Sequence, residues 1–220
     1  MPGRIAVLTG DVIESRKVGD RPRLYRRLEA TLAGLASRHG GRGERFRGDG
    51  FQLALPHAAA AMEAAVVLRA ALIEHSEPHQ RWDARIAVAV GPGEPGGREA
   101  DGETFIASGR RLDALAGSAG HLALTLLDEP EDPGLDLLVR FIDDLLDGWS
   151  PYAAEVVGLS LQEDGSQPVS QQALAERLGI TQPSVHKRLR AARWALLADT
   201  LAYLGGRLDD REPSTSGPRP

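Results

Sequence analysis

Apolar and polar positions alternate along this chain in two rhythms, and the change from one to the other divides it. Ile5 to Leu8 is a continuous run of β-formers closed by Gly10-Asp11, the pattern of a central strand buried on both faces. Leu24, Leu28, Leu32 and Leu35 recur at helical spacing and predict an amphipathic helix over 22–38. Glycines cluster at 40–43, and then Glu44–Arg47 and Phe51–Leu55 flank Gly48-Asp49-Gly50, a hairpin signature. An alanine-rich helix over 58–73 and a strand over 84–90 follow. A loop of glycines and prolines over 91–102 leads to a helix over 105–115 and a last strand over 122–127. This order, β-α-β-β-α-β-α-β, predicts an α+β fold of the ferredoxin-like or palm type, an antiparallel sheet with helices on one face.

The period-two pattern ends there. The acidic, proline-bearing stretch 128–134 reads as a linker, so residues 1–127 are expected to form one domain and 135–206 an all-α domain. Helical spacing returns over 135–146, 151–161, 171–178 and 195–204. The tail 207–220, with nothing to bury from Arg211 on, is expected to be disordered.

Within the second domain, residues 169–194 have the grammar of a helix-turn-helix. Leu174, Ala175 and Leu178 make one inner face, and Ala175 permits a close helix crossing. Gly179 stops the helix, Ile180 plugs the turn, and Thr181 caps a second helix with Pro183 in its first turn. Val185 and Leu189 face inward there. The outer face then carries Gln182, Ser184 and His186 toward base edges, with Lys187, Arg188, Arg190 and Arg193 for phosphates. The run resembles the helix-turn-helix of response regulators and the last DNA-binding region of sigma factors. Thr181, as cap, joins the predicted DNA-binding set, and double-stranded DNA is the expected partner.

Composition narrows the rest. The net charge of −5 excludes a general polyanion binder, so any nucleic-acid contact must be local. The absence of cysteine excludes disulfides and zinc–thiolate sites. No apolar run approaches a membrane span, and a cytoplasmic location is expected. The histidines at 39, 57, 75, 79 and 121 show no metal spacing and read as surface or core residues, and the three tryptophans as packing residues.

In the expected topology the end of the first strand and the tip of the hairpin lie side by side, which pairs Asp11 with Asp49. Two carboxylates so placed repel unless a cation sits between them. Hard oxygen ligands select magnesium or manganese, which would hold a nucleotide's phosphates. Arg16, Lys17, Arg45 and Arg47 flank the pair, and glycines at 10, 48 and 50 would let backbone N–H groups approach an anion.

Residues 1–127 resemble the SatD family on three stretches: Gly10-Asp11-Val12-Ile13-Glu14-Ser15-Arg16-Lys17, Arg47-Gly48-Asp49-Gly50-Phe51-Gln52 and Ser108-Gly109-Arg110-Arg111-Leu112. SatD-like domains are similar in turn to class III nucleotide cyclases. That resemblance implies metal ligation by Asp11 and Asp49, and a counterpart of the cyclases' helix arginine at Arg110 or Arg111. Arg45 falls where those cyclases often select the purine, and the cyclases' asparagine has no counterpart, Ile106 or Ala107 standing at its place. The expected function is a homodimeric DNA-binding regulator whose cyclase-like domain senses a nucleotide or nucleotide second messenger, with magnesium or manganese as accompanying ion. The alternative is an active nucleotidyl cyclase with an appended helical module.

Overall fold

The computed structural model describes residues 4–46, 48–94, 102–161 and 169–209. At its centre is a five-stranded sheet in the order β2-β3-β1-β4-β5. The strands are β1 (Arg4–Val12), β2 (Arg42–Arg45), β3 (Gly50–Leu55), β4 (Ala84–Pro92) and β5 (Leu122–Leu126). The first four pair antiparallel, as a ferredoxin-like order requires, and β5 joins β4 in parallel. A parallel pair needs a crossover, which α3 (Glu103–Ala116) supplies.

β1 runs through Gly10 instead of stopping there. Gly10 pairs with Phe51 on one side and Ile86 on the other. A Cβ at this position would stand 2.4 Å from the Phe51 ring and 2.6 Å from the carbonyl oxygen of Arg85. The glycine is demanded by packing and not by a turn. β2 also begins and ends earlier than the hairpin pattern predicts, and Arg47 lies outside the described residues.

Side chains alternate across a strand, so β1 divides its residues between two layers. Ala6, Leu8 and Val12 join the leucines of α1 (Arg21–His39) and the apolar side of α2 (Ala61–Glu74). Ile5 and Val7, with Ala54, meet Phe105 of α3 on the opposite face. Helices therefore cover both faces, which corrects the expectation of one. A single helix cannot span five strands, and α3 lies mainly over β1, β4 and β5. On the same face Thr9, Asp11, Gln52 and Arg85 remain half-buried.

The C-terminal elements are α4 (Pro133–Asp147), α5 (Pro151–Leu161), α6 (Gln171–Leu178), α7 (Gln182–Ala191) and α8 (Trp194–Leu208). Residues 61–73 of α2 are buried nearly throughout because the sheet lies on one side and α5 and α8 on the other. Its alanines allow that approach: Gly158 of α5 would place a Cβ 3.9 Å from the Ala70 methyl group. One apolar cluster runs from the sheet through α2 into α5, α7 and α8, so the stretch 128–134 interrupts the sequence pattern but not the core.

That stretch is itself structured at both ends. Asp132 caps α4, its carboxylate accepting from the N–H groups of Gly134 and Leu135. Glu129 accepts from Arg4 (2.8 Å) and Arg207 (3.0 Å), tying β1 to α8, and these arginines, Arg207 foremost, hold its carboxyl down to about 2. α8 continues to Leu208, which is fully buried, so the expected tail begins later than 207; residues 210–220 lie outside the described residues.

Candidate functional site

The sheet register sets the two predicted aspartates side by side in the backbone. Asp11 stands opposite Gly50, and the Val12 N–H donates to the Asp49 carbonyl (3.2 Å). Ser15, in the short 3-10 turn after β1, donates its hydroxyl to Asp49 and fixes that carboxylate. What pattern reading missed is the cation. Arg85 on β4 is the direct cross-strand partner of Asp11 and grips both its oxygens, at 2.9 Å from Nε and 2.6 Å from Nη2. The hydrogen bond to Asp11 raises the Arg85 pKa further, and the charge of Asp49 adds to it against the pull of burial. The only available signal was the antiparallel register of two apolar runs, which aligns residue 11 with residue 85.

Along the same face, two residues down each strand, Thr9 shares a hydrogen bond with Ser108 of α3 (2.7 Å) and accepts from Gln52 Nε2 (3.1 Å). Gly50 adds no side chain, and a Cβ there would meet nothing closer than 3.9 Å. The result is a half-open polar floor of Thr9, Asp11, Gln52 and Arg85.

The other predicted ligand residues are scattered. Arg45 belongs to the opposite face, where it bonds Glu29 (2.7 Å), stacks on Tyr25 (4.4 Å) and donates to the Gly48 carbonyl (2.8 Å). Its role there is to brace the hairpin. Arg16 is exposed, and Lys17 is exposed and paired with Glu14 at 2.5 Å. Arg110 is exposed on α3, while Arg111 lies at the β5 edge beside Leu124, Glu131 and Asp132, far across the sheet from Asp49. Gly10 lies beneath Phe51 and offers no open N–H cradle, whereas Gly48, at φ 90°, makes the hairpin turn.

A second ionic group was unforeseen. Arg69, on α2 and wholly buried, binds Asp83 through two bonds (2.8 and 2.9 Å), Asp143 (2.6 Å) and Asp147 (2.5 Å). Asp143 also accepts from the backbone N–H groups of His121 and Leu122, and the His121 ring lies 2.9 Å from Asp147. The hydrogen bond to Asp147 raises the His121 pKa, against burial. Burial pushes the Asp147 carboxyl up, but the bonds from His121 and Arg69 outweigh it and leave it lowered. Ligand atoms of His121, Asp143 and Asp147 fall within 4.8 Å of one another, a grouping that the sequence spacing of the histidines did not show. Arg69 already bonds both aspartates of that group. A lone arginine amid the apolar run of α2 was the sequence signal for this network.

The recognition-like segment has the expected local form. Gly179 ends α6 at φ 63°, and Thr181 caps α7 by accepting from the Ser184 N–H. Val185 and Leu189 pack inward with Leu174, Ala175 and Ala192. Thr181, Gln182, Ser184, His186, Lys187, Arg190 and Arg193 are all exposed. Arg188 is not one of them, because it turns inward to Glu155 of α5 (2.5 Å) and over Tyr152 (4.7 Å), where it holds α7 against α5.

No family model matches the chain and no curated protein does, so the resemblance read from residues 1–127 stands on its motifs alone. Among solved structures, the chain is similar to the active GGEEF domain of a diguanylate cyclase from Vibrio cholerae, at 16% identity over 56% of this chain and 83% of that one, with a TM-score of 0.45. It is also similar to a bacterial light-regulated adenylyl cyclase, at 17% identity over 56% and 76% of the two chains, with a TM-score of 0.41. A third is the GGDEF domain of DgcB from Caulobacter crescentus in complex with c-di-GMP, at 13% identity over 58% and 77%, with a TM-score of 0.41. Likeness of this degree says nothing about what this chain binds. No described helix is long and apolar enough to cross a membrane.

Proposed function

We propose that the chain is a DNA-binding regulator that contacts duplex DNA through α7 and binds a nucleotide or nucleotide second messenger on the polar floor of its sheet. The observation that carries this reading is the exposed outer face of α7. Polar side chains at its N-terminal end, Gln182, Ser184 and His186, suit base edges, and the cations Lys187, Arg190 and Arg193 behind them suit phosphates. Residues 169–194 hold five Lys and Arg against one Glu, a local charge of +4 on a chain of net charge −5. This gathers the attraction for a polyanion in α7 and the residues flanking it.

Reading of paired half-sites would use a homodimer. Beside α7 a groove of about 510 Å³ is lined by Leu138, Ile142, Leu145 and Leu197, with Phe141 and Leu196 on its rim. Phe141 and Leu196 are each 63% exposed, and Asp144 on α4 and Arg193 before α8 also line the groove, so this face offers a second copy both apolar surface and charges of either sign. Phe141→Glu is expected to convert a dimer to a monomer in light scattering.

The DNA reading is tested by fluorescence anisotropy with random-sequence duplex across a salt series. Wild type is expected to bind with a steep salt dependence, and Lys187→Glu/Arg190→Glu to lower the slope of log K against log salt by about 2. No binding at low salt, or an unchanged slope in the double variant, overturns it. A thermal-shift panel of nucleoside triphosphates, cyclic mononucleotides and cyclic dinucleotides tests the sheet face separately.

A further inference from the structure

Magnesium or manganese was expected between Asp11 and Asp49, and the residues present do not fit it. Asp11 has both oxygens engaged by Arg85, and Asp49 already accepts from Ser15. Asp11 and Arg85 are held by regular backbone pairing of β1 with β4, and Asp49 stands in the hairpin turn just before β3, where its carbonyl accepts from the Val12 N–H (3.2 Å). A divalent ion entering between the carboxylates would displace the guanidinium from a two-point grip or sit beside a fixed positive charge. We infer that Arg85 is the resident cation of this carboxylate pair, and that the polar floor takes its ligand without a divalent metal.

The chemistry left to the arginine supports a binding role. Nε and Nη2 serve Asp11, which leaves the Nη1 protons available to an acceptor on the ligand. Arg85 and Asp11 are each about a quarter exposed, at 26% and 27%, so this edge can be reached from solvent. On the same face Gln52 and Thr9 extend the donor and acceptor row, and Gly50 leaves the space above it clear. A ligand oxygen would meet Arg85 directly, where a metal-dependent site would present a hydrated ion. The second half of the inference rests on the reading of the sheet face as a nucleotide site; the first half does not.

The test uses manganese alone, followed by the loss of its free-ion spectrum in electron paramagnetic resonance. All proteins carry Asp147→Asn, so that the His121 group contributes no site. The parent is expected to take up no manganese at concentrations below about 1 mM, the weak end of carboxylate–cation sites. Arg85→Gln is expected to gain at least about tenfold in affinity, the repulsion of a unit charge by a divalent ion about 6 Å away in a water-like dielectric. Adding Asp11→Asn to Arg85→Gln should abolish the gain. Micromolar uptake by the parent that disappears in Asp11→Asn overturns the inference, whether or not Arg85→Gln folds. Failure of a folded Arg85→Gln to gain uptake overturns it as well. Neither result depends on nucleotide binding, so the two readings fail separately.

Discussion

Removing the arginine at the heart of the buried network is expected to be among the most damaging single changes to this protein. Arg69→Met keeps an unbranched apolar stem and deletes the guanidinium and its charge. Arg69 has no exposed side-chain surface, and its partners Asp83 and Asp143 retain only 4% and 8%. The change leaves buried carboxylates without their principal counter-ion, although Arg81 still reaches Asp83 at 3.0 Å. Breaking a buried ion pair from one side costs about 3–5 kcal/mol, because the remaining charge is desolvated and uncompensated. For a chain of this size that lowers Tm by roughly 6–20 °C, at about 2–4 °C per kcal/mol. Urea denaturation followed by tryptophan fluorescence reads the loss directly.

The pH dependence tests the cause. Burial without a counter-ion lifts a carboxyl above its ordinary range, and a raised folded pKa favours the fold below the unfolded value and loses that contribution as pH rises. The deficit of Arg69→Met should therefore narrow between about pH 8 and about pH 5, and Asp143→Asn added to it should recover part of the loss. A deficit below about 1 kcal/mol at pH 8, or one that does not change with pH, refutes the reasoning.

Further outcomes follow from the same geometry. His121 gains a partner on folding and its pKa is raised. Its contribution is complete below the ordinary value of about 6.5 and is lost as pH rises through the folded one, so His121→Gln should flatten stability against pH above about 6.5. Gly10→Ala drives a methyl into the Phe51 ring and the Arg85 carbonyl, and overpacking of this kind costs about 1–3 kcal/mol, measurable by the same urea titration. Thr181→Ala removes the cap of α7 and should cost about 1 kcal/mol. In the anisotropy assay it should also weaken duplex binding without changing the salt slope, since no cation is lost.

Local order was legible in the chain where local forces decide it. The leucine stripe of α1, the Gly179 stop and the Thr181 cap all depend on residues within a few positions of each other, and each stands where the pattern predicts it. The order of the first four strands was legible too, because a β-α-β-β-α-β sequence with short connections admits few pairings, whereas the parallel docking of β5 was not. The coincidence of Asp11 and Asp49 followed from that order.

The tertiary structure decided everything that depends on which face or which partner a side chain meets. Gly10 reads as a strand end and is a packing requirement, because Phe51 comes from a strand some forty residues away in sequence. Arg45 and Asp11 read as one site and stand on opposite faces, since a residue's side of the sheet depends on register to the residue. Arg188 reads as a phosphate contact and instead binds Glu155 of a helix earlier in the chain. The partners of Arg85 and Arg69 were invisible for the same reason: a charge alone in an apolar stretch announces that it has a counter-ion, while long-range packing alone says which one.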